Sequence, residues 1–144
     1  MDIQKSGLDM TAIANQMKDA AKQSANTILL CKNADEEEQK KAVLEQYFLL
    51  TVKLDQFLRQ SDQLAATWAE QIHQINLVAD QETAVRLQVM TEAYFAFRNR
   101  IGQLLDQAER ESYRDAPAFR LDAFYQLSTR IQYACSDLEL KFKS

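Results

Sequence analysis

From Asp35 to Ala79 apolar residues keep one seven-residue register that no proline or glycine interrupts. Leu44, Thr51, Leu58, Ala65, Ile72 and Ala79 form one row of the heptad, and Tyr47, Leu54, Ser61, Trp68 and Ile75 form the other. Val43, Leu50, Phe57, Leu64 and Val78 widen the seam. The pattern predicts a coiled-coil-like helix over 35–79, about 65 Å long at 1.5 Å per residue. The run Asp35, Glu36, Glu37, Glu38 suits its N-terminus, where the helix dipole favours negative charge. The polar group Gln60, Ser61 and Asp62 is where a break would fall.

Three further helices follow from the same periodicities. After Asp9, a suitable N-cap, Met10, Ile13, Ala14, Met17, Ala20, Ala21, Ser24, Ile28 and Cys31 recur at three- and four-residue spacing. A helix is therefore predicted over 9–32, with 1–8 as a flexible N-terminal tail. Its small-residue face permits close approach but little burial per residue, which makes it a companion to the long helix. Asp80 suits the cap of a helix over 80–112, with Leu87, Tyr94, Ile101 and Ala108 in one row and Met90, Phe97 and Leu104 in the other. Val85, Val89, Phe95 and Ala96 lie off that seam. Asp115 and Pro117 suit the start of a helix over 116–142. Its seam is Phe124, Leu127, Ser128, Ile131, Ala134, Cys135 and Leu138, and Phe119, Tyr133 and Leu140, with Tyr125 beside them, make a second stripe.

The connections are short, so consecutive helices are expected to be antiparallel neighbours in an up-down four-helix bundle, a single domain over 9–144 with a long central hairpin. Counting levels from the turns, a first helix beginning at Asp9 reaches only about Leu58 of the second. Past that level the fourth position of the bundle is expected to be vacant. Its walls would be Leu64, Trp68, Ile72 and Ile75, facing Leu138 and Phe142 of the last helix, a groove for a partner helix.

Composition supports the all-α class and narrows the chemistry. The 144 residues include only two glycines, Gly7 and Gly102, and one proline, so hairpin turn chemistry is nearly absent. The net charge of −4 and the mixing of acids with the arginines after residue 80 argue against a nucleic-acid partner. No run is long and uncharged enough for a membrane span, and no leader-like apolar segment follows Lys5, so the expected location is the cytoplasm, or outside it by a route without a cleaved signal peptide. Cys31 and Cys135 fall at apolar helical positions and are expected to be buried free thiols, far apart in an up-down bundle.

No catalytic, cofactor-binding or metal-binding set emerges. Glu70 and His73 have the Glu-x-x-His spacing of di-iron bundles, but His73 is the single histidine and falls away from the core seam, on the solvent side. Thr51 and Ser61 are expected to fix register, and Tyr47 and Tyr94 to aim hydroxyls at the bundle edge. The expected function is a non-enzymatic protein-protein interaction module, an adaptor or chaperone holding a partner helix, or a second copy, in the groove. The alternative is a structural or regulatory homodimer joined through Val85, Val89 and Phe95 of the third helix and Phe119, Tyr125, Tyr133 and Leu140 of the fourth.

Overall fold

A computed structural model describes residues 3–74, 81–112 and 120–143. The described residues form four helices: α1 (Ile3–Leu29), α2 (Glu36–Gln74), α3 (Gln81–Ser112) and α4 (Leu121–Lys143). α1 packs on α2 and most extensively on α4, and α3 packs on the same two, while α1 and α3 barely touch. The helices thus occupy the corners of a square in chain order, the up-down bundle expected from the short connections.

Local chemistry sets the helix ends. Asp35 caps α2: its carboxylate accepts the Glu38 N–H at 2.8 Å, and its carbonyl accepts the Gln39 N–H at 3.0 Å. α1 closes by tightening, with Leu30, Cys31 and Lys32 N–H groups donating to carbonyls three residues back. Leftover carbonyls meet one side chain: Gln39 Nε2 lies 3.1 Å from Cys31 O, 2.9 Å from Lys32 O and 3.2 Å from Ala34 O. A single amide therefore ties the α1–α2 connection to the first turn of α2. α2 passes through Gln60, Ser61 and Asp62 unbroken. α4 begins at Leu121, later than the expected 116; Arg120 is non-helical, and its carbonyl accepts the Phe124 N–H at 3.0 Å as the first helical bond. Asp80, Asp115 and Pro117, expected as caps, lie outside the described residues.

The small-residue face of α1 lets it lie close to α4. Ala14, Ala21 and Ala25 are buried there, and the Ser128 hydroxyl donates to the Ala21 carbonyl at 2.6 Å, a bond from α4 straight to the α1 backbone. A larger side chain at either position would hold the helices too far apart for it. Lys18 pairs with Glu139 at 3.8 Å across the same seam.

α1 differs from expectation at its start. It begins at Ile3, and the segment expected as a flexible tail continues the helix. Ile3 packs against the core, Ser6 and Met10 are buried, and the 3-4-4-3 spacing runs on to Ala14 and Met17. Asp9 is thus an exposed interior residue and not a cap. Gly7 costs about 1 kcal/mol in helix propensity, but it lies against Met90, whose Cε would be 3.6 Å from an added Cβ.

Candidate interaction surface

The expected groove is closed. Ser61 of α2 lies level with Tyr94 of α3, their hydroxyls 2.8 Å apart, so Met90, one turn earlier on α3, lies near the level of Ala65. Gly7 meets Met90, and Ile3 and Gln4 line a shallow depression with Glu82, Thr83 and Arg86. The first turns of α1 therefore fill the fourth corner beside the distal half of α2. Trp68 is 0% exposed, and Leu138 is buried with it. Leu64, Ile72 and Phe142 are half-buried and pack on the core. Phe142 meets Trp68 edge to face, with ring centroids 5.8 Å apart. Ile75 lies outside the described residues. The groove expectation failed because it started α1 at Asp9; two more turns of helix supply the missing wall. Trp68 is core filler, and its indole N–H has no hydrogen-bond partner among the described residues.

Exposed apolar surface is found elsewhere. On the proximal half of α2, Leu44, Phe48, Leu49 and Val52 all point outward, with Phe48 66% exposed. The physical cause is rotation of the heptad row. A straight α-helix drifts about 20° per heptad from a strict seven-residue repeat, so the row from Leu44 to Ile72 turns by roughly 80°. Leu58 and Ala65 of that row are buried, Thr51 and Ile72 are half-buried, and Leu44 has rotated out to 51% exposure. In the proximal half the core is supplied by Val43, Leu50 and Leu54. Sequence reasoning treated Leu44 as seam and Val43 and Leu50 as its border; computing the 3.6-residue drift would have reversed them.

Two further stripes face solvent. On α3, Val85, Val89 and Phe95 are each about half exposed. On α4, Tyr133 and Leu140 are 67% and 64% exposed, and Tyr125 is exposed on the same side. Phe119, expected to extend that stripe, lies outside the described residues. Leu29 and Leu30, at the end of α1, are exposed as well.

Polar groups at the core boundary have structural partners. The Tyr94 hydroxyl, buried with its ring, contacts the Ser61 hydroxyl and the Asp62 carboxylate, and Arg98 Nε donates to the same carboxylate oxygen at 3.3 Å. Burial first, and then the bond to Asp62, raises the Tyr94 pKa above the ordinary tyrosine value. The Ser61 hydroxyl also lies 3.0 Å from the Leu58 carbonyl. The cluster joins α2 to α3 in one register. Thr51, the other polar seam residue, bonds within α2, donating to the Phe48 carbonyl at 2.9 Å.

Both cysteines are free; Cys135 is buried, whereas Cys31 is half-buried and so less enclosed than expected. Burial, aided by the charge of Glu139, pushes the Cys135 thiol up to about 12. Glu70 and His73 are exposed, and among the described residues no group of three His, Cys, Asp or Glu side chains is arranged to hold a metal ion. No helix among them is long and apolar enough to cross a membrane. Comparison with protein-family models, with curated proteins and with solved structures found no match to this chain.

Proposed function

We propose that this chain is a non-enzymatic protein-protein interaction module, an adaptor or chaperone that holds a helix against the outward face of the proximal half of α2. The observation carrying this reading is the cluster of Leu44, Phe48, Leu49 and Val52, four large apolar side chains in nine residues, all exposed on a helix whose opposite face already fills the core. A helix with apolar residues on both faces has a use for a second neighbour. The flat, outward shape suits a partner helix laid alongside, with apolar side chains spaced at three and four residues.

A photo-crosslinking benzoylphenylalanine at position 48, expressed in the native host, tests the reading against the same probe at Thr67, an exposed position of the distal half. Position 48 is expected to yield a discrete protein adduct and position 67 none. Equal labelling from both positions, or none from either, sinks the reading.

The second reading is a homodimer through α3 and α4, which the exposure of Val85, Val89, Tyr133 and Leu140 favours. In that case Tyr133→Glu with Leu140→Glu breaks the association and Phe48→Glu leaves it intact.

A further inference from the structure

The proximal face of α2 carries a pattern beyond its apolar centre. At 100° per residue, the exposed residues Glu37, Lys41, Leu44, Phe48, Val52, Asp55 and Arg59 fall in a single sector about 80° wide centred on Phe48. Read outward from Phe48, that sector is complementary to its own reverse. Four residues to either side stand Leu44 and Val52, both apolar. Seven residues to either side stand Lys41 and Asp55, and eleven to either side stand Glu37 and Arg59, opposite charges both times.

We propose that this face binds the same face of a second copy, the two α2 helices running antiparallel across a two-fold axis at Phe48. The inference rests on the interaction-module reading and names the occupant of its surface. A two-fold contact needs a patch that complements itself, so that residue i meets j and j meets i. Here Phe48 meets Phe48, Leu44 meets Val52 twice, and Lys41–Asp55 and Glu37–Arg59 each occur twice over a contact about 33 Å long. A parallel pairing would set each of these charges against its own kind, which antiparallel pairing avoids. Asp55 already holds Arg59 of its own helix at 3.0 Å, so its carboxylate would lie between that guanidinium and the incoming Lys41. Glu45, beside the sector, falls opposite Thr51 and meets no like charge. A helix of unrelated sequence has no reason to match a charge order that reverses about one phenylalanine.

The test is the mass of the full chain by sedimentation equilibrium over a micromolar range, with helicity followed by circular dichroism. Wild type is expected to be a dimer and Phe48→Glu a monomer of unchanged helicity. Lys41→Glu sets a carboxylate against Asp55 on both sides of the axis and is expected to weaken self-association roughly tenfold. Lys41→Glu combined with Asp55→Lys restores the pairing with signs exchanged, and the dissociation constant should return toward that of wild type. A dimer that Phe48→Glu leaves intact overturns the inference, as does a dimer that the exchange fails to rescue. A wild-type monomer whose position 48 crosslinks to a different protein also overturns it, yet leaves the interaction-module reading standing. A monomer with no adduct at position 48 overturns both.

Discussion

The two halves of α2 carry similar apolar content and use it in opposite ways. Distally, Leu58, Ala65 and Trp68 point inward, and the outer face is Arg59, Gln63, Ala66, Thr67, Glu70 and His73. Proximally, Val43, Leu50 and Leu54 point inward, and four more large apolar side chains cover the outside. Val43, Leu50 and Leu54 are 0% exposed, as Trp68 is, so the core side of either half is covered. The difference therefore does not come from missing coverage. It comes from which face of one helix the apolar residues occupy, and a large side chain on a seam row signals burial only after the drift of that row is taken into account.

The sharpest way to break the comparison is to truncate one aromatic in each half. Trp68→Ala is expected to cost about 3–5 kcal/mol, the range for large aromatics removed from a core, read as a lowered urea midpoint. Phe48→Ala should change stability, read from the same midpoint, by less than about 0.5 kcal/mol when the chain is held monomeric by dilution. Equal costs would mean that the two residues occupy equivalent environments, and the contrast would fail.

Where the halves meet, Tyr94→Phe removes the hydroxyl that joins α3 to Ser61 and Asp62 of α2. A loss of about 1–2 kcal/mol is expected, since Ser61 keeps the Leu58 carbonyl and Asp62 keeps Arg98. An unchanged midpoint would mean that the cluster does not hold the register. Gln39→Ala tests the entry to the proximal half. About 1 kcal/mol should be lost, with faster amide exchange confined to residues near Cys31 and Ala34; uniform acceleration along the chain would count against a local tie.

The smallest effect concerns Cys135. Its folded-state pKa is raised, so its contribution is fully present below the ordinary thiol value of 9 and is lost as pH rises from 9 toward 12, where the unfolded chain releases its proton first. The urea midpoint of Cys135→Ala should fall less steeply over that window than that of wild type. At neutral pH a thiol reagent should modify Cys31 well before Cys135; similar rates would contradict the burial of Cys135.

The fold class and the up-down order were legible because heptad rows, short connections and scarce glycine all point one way. The continuity of α2 through Gln60, Ser61 and Asp62 was legible in the unbroken heptad register, and what the sequence does not show is that Tyr94 and Arg98 supply partners for Ser61 and Asp62. The closed groove was missed for a local reason. Asp9 carries the usual mark of a helix start, and only the packing of Gly7 against Met90 shows that the helix runs through this segment. The exposed proximal face was in the sequence all along, but a strict seven-residue count assigns Leu44 to the core. Phe48, Leu49 and Val52 fall off the seam in that count and on no single stripe, which is why they do not read as a surface until the drift is included.

Trp68 is the single tryptophan of the chain, and it stands at the end of the bundle where α4 finishes, with Phe142 on its ring and, near the same level, the start of α1 against Met90. Its emission is therefore an optical gauge of that end of the bundle. A blue-shifted spectrum reports that the terminal turns are docked, and a red shift marks their fraying before the rest of the chain melts. Position 48 is twenty residues away, about 30 Å along the helix. Assembly at that end should leave the signal unchanged, so one fluorophore separates unfolding from association without a label.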